Sequence, residues 1–417
     1  MLGNRRIDPS VFHDWSTGRL ETPAFVYDET AVVNNCMSLS RVVEQSGVET
    51  LYSVKPLLLP DLLKLIVGNL KGVSTSSLFE TLAAREIVGG EKEIHVVAPA
   101  YRPDDIEELV DLADYVTFNS FNQWLRFRQV AIKKSLCGLR INPKRSFVAD
   151  PRYDPCRPSS KLGVSIDQVA EMFKQQPELF NDLTGIHIHN NCDSNDFRHL
   201  LETTRTVDHL LQFVLERVDW INLGGGYLFS DPINVDDLHR AVSLLRSKYG
   251  LKIYMEPGAA LVRNAGLIVS TVLDRFEADG KTVVILDTTV NHMPEVFEYQ
   301  FEPDILGHAD DGEYEYILAG CTCLAGDVFG EYRFNAPLEI GSRIIFQNAG
   351  AYTLVKAHMF NGINLPTIYA LTPAGDLTLQ KQYDYEDFRH TWEHDKDHET
   401  IRSVAAPSRH SGKRKSA

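Results

Sequence analysis

The sequence lacks the signatures of several common functional classes. Its six cysteines form no CxxC pair, so neither a zinc ribbon nor a disulfide scaffold is indicated, and a reducing compartment fits best. No run approaches the roughly 18 apolar residues of a membrane span, and the first residues lack the apolar core of a signal peptide. The net charge of -15 leaves no basic excess for nucleic acid. We therefore expect a cytoplasmic protein without a nucleic acid, membrane or metal partner.

The sequence does contain enough apolar residues for a sizeable core, since 43% of its 417 residues are hydrophobic. From residue 49 onward, short β-branched runs alternate with segments of helical period, which is the pattern of a parallel sheet. Eight runs within about 210 residues are typical of a (β/α)8 barrel. An open doubly wound sheet is the alternative, but its GxGxxG fingerprint is missing after the first strand. The runs span 49–55, 71–77, 94–99, 115–120, 137–142, 183–191, 218–226 and 252–258.

After residue 262 the pattern changes to strand-like runs without long helices between them, which predicts an antiparallel β domain. The segment TPAFVYD near the N-terminus could join that domain, in which case the barrel is inserted in its chain. The last residues are polar and charged, so we expect no fixed structure there. The predicted organisation is an N-terminal segment (1–24), a barrel (25–262), a β domain (263–387) and a C-terminal tail (388–417).

A barrel of this kind builds its active site at the carboxyl ends of its strands. Lys55 ends the first run, where it is either a solvated strand end or a Schiff-base lysine whose pKa is lowered by its surroundings. The glycines 224–226 follow the seventh run and mark either a tight turn or a phosphate cradle. Glu256 ends the eighth run, where it either forms a salt bridge or pairs with a protonated heterocyclic nitrogen.

The stretch HIHNN at 187–191 admits three interpretations. Alternation along a strand puts His187 and His189 on one face, so a metal pair is geometrically possible, but no third ligand with recognisable spacing follows. A packed or hydrogen-bonded pair is the more frequent outcome for such residues. If the barrel mouth holds a flat aromatic ring, His189 is well placed to lie against it, with His187 deeper by two residues.

A glycine-containing loop of the second domain, CTCLAGDVFGEY, carries Cys323, Asp327 and Glu331. A buried structural cysteine is the usual role of this residue type. The flanking carboxylates and glycines instead favour an exposed loop at a site, where a thiol can act as a general acid and carboxylates can hold an ammonium group.

Taken in order, the motifs of this chain resemble those of the fold-type III pyridoxal-phosphate decarboxylases, and among these the carboxynorspermidine/carboxyspermidine decarboxylases. The likeness runs over some 350 positions, from residue 22 to residue 371. Each motif alone is weak, but their order is specific. They are STSSLFE, APAYRPDDI, TFNS, YDPCRPSSKLG, IHNNCD, NLGGG, YMEPG, NHMPEV, CLAGDVFGEY and MFNGINLP.

The resemblance implies a barrel with a C-terminal β domain, pyridoxal 5'-phosphate as cofactor and a homodimer with shared sites. By this resemblance Lys55 would carry the cofactor as a Schiff base and Cys323 would reprotonate the carbanion. The implied reaction is decarboxylation of a cationic amino acid, most simply carboxynorspermidine or carboxyspermidine. The remaining implied roles are stacking by His189, pairing of Glu256 with the pyridine nitrogen, phosphate binding by Gly224, Gly225, Gly226 and Tyr352, and binding of distal amines by Asp327 and Glu331.

Three other functions stay open at this point. Ala259, Tyr227 and Leu228 depart from the subfamily pattern on the expected substrate side, which would suit a related carboxylated aminopropyl or diamino-acid intermediate of siderophore or peptide-antibiotic assembly. An amino-acid racemase also uses a lysine-bound pyridoxal phosphate in a barrel, although the cysteine loop fits decarboxylation better. A non-catalytic binding module would keep the fold, and the presence of Lys55 and Cys323 weighs against it.

Overall fold

The computed structural model describes residues 20–393. Its strands form two sheets, a closed barrel of eight parallel strands and a second, mixed sheet of eight strands. The predicted fold class, a barrel joined to a C-terminal β domain, is therefore confirmed. No helix between residues 20 and 393 has the length and apolar character needed to cross a membrane.

The chain enters through strand β1 (Ala24–Asp28), which belongs to the second sheet, and then builds the barrel. Each of the eight predicted runs overlaps one barrel strand, and pairing of the fourth strand with the fifth closes the circle. A two-residue strand, β7 (Val164–Ser165), extends the barrel beside its fifth strand. The barrel strands are β2 (Glu49–Ser53), β3 (Gly72–Thr75), β4 (Glu93–Val97), β5 (Tyr115–Phe118), β6 (Leu136–Asn142), β8 (Gly185–Ile188), β9 (Trp220–Asn222) and β10 (Lys252–Met255).

Helices surround the barrel because each bears one apolar face that packs on the strands. Several begin at a serine or aspartate whose side chain accepts a hydrogen bond from the first turn, as Ser77 and Ser120 do. The barrel helices are α1 (Glu29–Val43), α2 (Pro60–Val67), α3 (Leu78–Val88), α4 (Ile106–Leu112), α5 (Phe121–Ala131), α6 (Ile166–Gln175), α7 (Arg198–Leu215), α8 (Val235–Tyr249) and α9 (Ala259–Val262).

The second sheet has the order β14-β13-β12-β11-β1-β16-β17, with β15 paired to β11. Its later strands are β11 (Gly266–Ala278), β12 (Lys281–Leu286), β13 (Tyr314–Ala319), β14 (Val328–Phe334), β15 (Arg343–Phe346), β16 (Thr367–Leu371) and β17 (Leu377–Lys381). Helix α10 (Pro294–Tyr299) lies between β12 and β13, and α11 (Tyr385–Arg389) follows β17.

The prediction of a purely antiparallel domain was wrong at two pairings, β1 with β16 and β12 with β13, which are parallel. Parallel neighbours need a crossover connection, and the chain between β12 and β13 is long enough to provide one. The proposed domain boundaries at residues 25, 263 and 388 stay predictions. Most of the predicted N-terminal segment and of the predicted tail falls on residues 1–19 and 394–417, outside the described residues.

An apolar layer closes one end of the barrel interior and forms its floor. Leu51, Tyr115, Trp220 and Tyr254 form a buried apolar cluster inside the barrel. A Cβ on either Gly138 or Gly185 would lie within 2.4 Å of the Trp220 indole, so both glycines are needed to admit this ring. Since side chains alternate along a strand, the residues two positions later also point inward. The interior above this floor is therefore lined by the side chains that follow it on each strand.

Candidate active site

A polar layer lies directly above the apolar floor. Arg140, His187 and Asn222 are register partners on β6, β8 and β9, and all three are buried. Each stands two residues beyond a floor position, so each points into the barrel. Lys55, His189 and Glu256 follow at the carboxyl ends of their strands. The structure thus brings the residue types that were predicted for the site together at one open end of the barrel, the barrel mouth.

Glu256 is buried and held by two neighbours. Asn222 donates from Nδ2 to its Oε1 over 2.7 Å, and its Oε2 lies 3.3 Å from His187 Nε2. Burial alone would raise the pKa of Glu256. His187 and the more distant His189 and His95 lower it by a larger amount, so the pKa of Glu256 lies well below its usual range. Glu256 is therefore an ionised carboxylate whose position is fixed by hydrogen bonds.

The two histidines of HIHNN have different environments. His187 is buried and contacts Glu256, whereas His189 is half-buried and accepts a hydrogen bond at Nδ1 from the Gly225 amide over 3.0 Å. Burial lowers the pKa of His189 far below its usual value, and the cations of Lys55 and Arg140 lower it further. The His189 ring is thus neutral. No group of three or more potential metal-binding side chains occurs between residues 20 and 393.

The three glycines occupy a crowded turn. Gly224 and Gly226 have φ of +69° and +86°, and a Cβ on Gly226 would lie 2.1 Å from the Asn191 carbonyl oxygen. The amides of Gly224 and Gly225 already donate to Asn222 Oδ1 and His189 Nδ1. Between residues 20 and 393, neither the Gly226 amide nor the Tyr227 amide donates a hydrogen bond to another group of the protein. These two amides are the free donors of the predicted phosphate cradle.

We expect Gly226→Ala to destabilise the protein by about 2–4 kcal/mol, because it combines a left-handed φ with a backbone collision. Gly250→Ala is the matched control, since Gly250 has φ +71° and nothing within 4 Å of its added Cβ. The control should cost about 1 kcal/mol for the backbone conformation alone. Unfolding in denaturant measures both, and equal losses would show that the space beside Asn191 is not limiting.

Lys55 lies at the open mouth, and its side chain is accessible to solvent there. Its Nζ is 6.0 Å from the centroid of the Tyr352 ring, and the Tyr352 amide donates to the Pro56 carbonyl over 3.0 Å. The protein around the mouth reduces, without removing, the hydration of the Lys55 amine and so lowers its pKa. The charge of Glu256 opposes this change and that of Arg140 adds to it. Tyr352 has φ +59° and lies in the loop that follows β15, so this loop of the second sheet lies beside the lysine.

Cys323 lies on an exposed loop, and its amide donates to Asn361 Oδ1 over 3.0 Å. Among the contacts between residues 20 and 393, no hydrogen bond joins this loop to Lys55 or Glu256 of the same chain. Cys323 is therefore exposed to solvent in the single chain.

Asp327 was predicted to hold a substrate amine, and the structure gives it a different role. The side chain is 3% exposed, and its oxygens accept from the amides of Val290 and Thr322 over 2.8 and 3.0 Å. Since both oxygens are occupied, Asp327 fixes the shape of the cysteine loop. Glu331 is exposed on β14 and pairs with Lys281 over 2.5 Å. Of the two carboxylates, Glu331 is the exposed one, and an incoming cation would compete with Lys281 for it.

These features agree with comparisons to known proteins. The model of the family described as pyridoxal-dependent decarboxylase, C-terminal sheet domain, matches residues 24–350. The chain belongs to this family. Carboxyaminopropylagmatine decarboxylase of Synechocystis sp. is 36% identical over 89% of the chain and 95% of its own length. Carboxynorspermidine/carboxyspermidine decarboxylase of Herminiimonas arsenicoxydans is 32% identical over 88% and 98%. The structure of Campylobacter jejuni carboxynorspermidine decarboxylase complexed with norspermidine gives a TM-score of 0.80 at 29% identity, covering 89% and 100%.

The barrel mouth of this pyridoxal-dependent decarboxylase fits the cofactor of its family. A fixed, ionised carboxylate stands at Glu256, and a lysine of lowered pKa stands at Lys55. The glycine turn offers two free amides in a space that a Cβ would fill. A carboxylate, an amine and an anion cradle are the groups that a pyridine nitrogen, an aldehyde and a phosphate require.

Sequence reasoning missed three residues of the mouth and misplaced one. Arg140, Asn222 and Glu80 were assigned no role from the sequence, yet the charges of Arg140 and Glu80 act on Lys55. The inward direction of Arg140 and Asn222 could have been inferred from the alternation relative to Trp220 and the small residues facing it. Tyr227 was expected near the substrate, but it is buried and stacked on Phe197 at 5.2 Å between ring centroids.

Proposed function

We propose that this decarboxylase removes the α-carboxylate of a carboxyaminopropyl polyamine, a step of polyamine biosynthesis, with pyridoxal phosphate as cofactor. The observation that carries the proposal is the single cluster of Lys55, Glu256 and the 224–226 turn at the mouth of the barrel. The relatives named above support the choice of substrate. Their compounds share a carboxyaminopropyl group, in which two methylenes join the α-carbon of an amino acid to a cationic amine nitrogen, with a further cationic group beyond it.

Each residue of the cluster has a distinct task in this proposal. Lys55 would attach the cofactor, Glu256 would pair with the pyridine nitrogen and favour its protonated form, and the neutral His189 would stack on the ring. Tyr352 and the amides at the glycine turn would hold the phosphate. When bound, the cofactor supplies an electron-withdrawing ring that accepts the electron pair left by departing CO2. The work of the chain is orientation, charge and the exclusion of water.

We also propose that the active protein is a homodimer with shared sites. Cys323 is exposed on a loop whose neighbourhood carries the exposed apolar side chains of Phe297, Val328 and Phe360. A second copy that covers this face would bring its Cys323 thiol to the open mouth, where it can return a proton to the carbon that lost CO2. Glu331 is the candidate partner for a distal amine. All six cysteines are free, which supports a cytoplasmic location.

The proposed function predicts CO2 release from carboxyaminopropyl compounds. The purified protein should be compared on carboxynorspermidine, carboxyspermidine, carboxyaminopropylagmatine, diaminopimelate, ornithine and lysine. We expect kcat/KM on one or more of the first three to exceed that on the last three by about 10- to 100-fold, because a shorter substrate cannot reach the position of the distal cation and loses its charge-assisted contact. Activity confined to the last three would contradict the substrate class. Loss of optical activity without CO2 would instead indicate a racemase.

A further inference from the structure

Arg263 lies between the two parts of the predicted phosphate cradle, the glycine turn and Tyr352. Its backbone carbonyl accepts from the Gly350 amide over 3.0 Å, two residues before Tyr352. Its guanidinium donates from one nitrogen, Nη2, to both oxygens of Asp193 over 2.9 and 2.8 Å. The backbone of Arg263 is thus fixed to the loop that follows β15, and its side chain is fixed to the loop that follows β8.

The loop that follows β8 places Asp193 beside the glycine turn. The Ser194 amide donates to the Gly226 carbonyl over 3.0 Å. A Cβ on Gly226 would lie 3.0 Å from the Cys192 nitrogen. Because Asp193 stands between these two contacts in the chain, its carboxylate holds the Arg263 guanidinium close to the glycine turn.

The charge of Arg263 acts on both sides of the cradle. Burial raises the pKa of Cys192 and of Tyr352, and the Arg263 cation opposes this change at both groups. Ala259, one helical turn earlier on α9, carries no charge. Two segments that are far apart in the chain are therefore close to the same cation.

The guanidinium of Arg263 keeps donors for a further ligand. Within the part of the chain that the structure describes, its Nε and Nη1 donate no hydrogen bond to the protein. The Arg263 side chain keeps 36% of its surface accessible to solvent, and that of Asp193 keeps 44%. An ion pair of this exposure contributes little to the stability of the fold. Its main effect is to orient the arginine.

We propose that Arg263 binds the phosphate group of the cofactor and supplies its positive counter-charge. This inference rests on the proposed function only in that pyridoxal phosphate is the cofactor. The amides of the glycine turn and the Tyr352 hydroxyl are neutral donors, whereas a phosphate ester carries about two negative charges at neutral pH. A guanidinium adds a charge-assisted hydrogen bond, which is stronger than a neutral one. Asp193 holds the guanidinium toward the glycine turn and leaves its other nitrogens for the phosphate.

The substrate carboxylate is a less suitable anion for Arg263. A cation bound to the departing carboxylate would stabilise the charge that decarboxylation removes, so it would favour the ground state over the transition state. Binding the phosphate has no such disadvantage, because the phosphate keeps its charge throughout the reaction.

The test uses two cofactor analogues that lack the aldehyde and cannot react with Lys55. Pyridoxine 5'-phosphate and pyridoxine share the ring and differ only in the phosphate. Their affinities for the apoprotein are measured by equilibrium dialysis in the wild type and in four variants, Arg263→Met, Arg263→Gln, Arg263→Lys and Arg198→Met. Arg198 is the matched control, because it is exposed and also pairs with an aspartate of the loop that follows β8, Asp196.

We expect Arg263→Met to bind pyridoxine 5'-phosphate about 10-fold more weakly than the wild type, the lower end for a charge-assisted hydrogen bond because the arginine is partly exposed. Its affinity for pyridoxine should be unchanged. Arg263→Lys should lose less, since it keeps the charge without the planar fork of donors. The control should bind both compounds as the wild type does. Unchanged affinity of Arg263→Met for pyridoxine 5'-phosphate, or equal losses for both compounds, would overturn the proposal.

A second measurement follows the charge of the phosphate itself. The second ionisation of a free phosphate ester has a pKa of about 6, and ³¹P NMR reports it in bound pyridoxine 5'-phosphate. A neighbouring guanidinium favours the more highly charged form. The pKa of the bound phosphate should therefore be higher in Arg263→Met than in the wild type. Equal pKa values in the two proteins would also count against the proposal, because they would place the guanidinium away from the phosphate.

The variant proteins need not be active for this test, because both measurements concern binding. The free energy of unfolding of each apoprotein shows whether the variant is folded. If Arg263→Met does not fold, the polar but uncharged Arg263→Gln decides the question, with the same expected loss. A wild type that binds both compounds equally would overturn this inference with the proposed substrate intact. Absence of CO2 release from all the compounds named above would contradict the proposed function and leave this inference standing.

Discussion

Replacement of Lys55 by alanine should abolish turnover, lowering kcat by at least about 10³-fold, because removal of a covalent nucleophile leaves only binding to assist the reaction. The same change should abolish the visible absorbance of lysine-bound cofactor. Pyridoxine 5'-phosphate should still bind, since Glu256 and the glycine turn are untouched. Absorbance spectra, CO2 release and dialysis give the three measurements. Lys64→Ala is the control, because Lys64 is an exposed helical lysine paired with Asp61.

The outcome that would remove Lys55 from the mechanism is a variant with the spectrum and the activity of the wild type. A variant that is inactive but keeps the visible absorbance would show that another amine captures the aldehyde. The surroundings of Lys55 lower its pKa, which favours the free amine that attacks an aldehyde.

The Lys55→Ala variant can also test the proposed dimer with shared sites. Lys55→Ala and Cys323→Ala should each be nearly inactive alone. If each site combines Lys55 of one subunit with Cys323 of the other, a mixed dimer holds one intact site and one site that lacks both residues. Random exchange of subunits should then restore about a quarter of the wild-type activity. Absence of recovery, despite exchange demonstrated by differently tagged subunits, would place both residues in the same subunit.

The barrel could be predicted from the sequence because its strands share a repeated pattern. Each buried parallel strand reads as a short β-branched run, and a closed barrel repeats this unit eight times with helices between. The carboxyl ends of all strands meet at one face, so unusual residues at those ends could be grouped without coordinates. Lys55, His189 and Glu256 were found in this way, although no distance between them could be predicted.

Two parts of the site could not be predicted because they depend on distant chain segments. Asp327 is next to a cysteine in a glycine-containing loop, which suggests exposure, but its carboxylate is occupied by an amide 37 positions away at Val290. The parallel pairing of β12 with β13 depends on how the chain between them crosses over, and alternation along a strand is the same for parallel and antiparallel neighbours.

The position of Arg140 is a third feature that could not be predicted from the sequence. An arginine within the predicted barrel strand CGLRIN is expected to reach solvent, because arginine is rarely buried. Its inward direction follows only when Gly138, two residues earlier, is seen to make space for Trp220. The glycine was the available signal, since a small residue opposite a large one inside a barrel marks the inward-facing positions of its strand.

Glu256→Gln should lower kcat by about 10²- to 10³-fold, the usual loss when one preorganised charged contact is removed from a buried reacting centre. Glutamine can still accept from Asn222 and contact His187, so the fold and the position of the side chain are kept. It lacks the negative charge that holds a proton on the pyridine nitrogen. KM should change less than kcat, because the substrate does not contact this position. Glu256→Asp keeps the charge at a shorter reach and should fall between the two.

Glu256→Gln should also change the pKa of Lys55, in a direction that follows from the charges in the barrel mouth. In the wild type the carboxylate of Glu256 raises the pKa of Lys55, against the effects of burial and of Arg140, which lower it. Removing that charge should lower the pKa of Lys55 further, so the free amine becomes available at lower pH. The rate at which apoprotein captures pyridoxal phosphate should therefore reach its plateau at a lower pH in Glu256→Gln than in the wild type. A shift to higher pH, or none, would mean that Glu256 does not act on Lys55, and the loss of kcat would then need a cause other than the charge of this carboxylate.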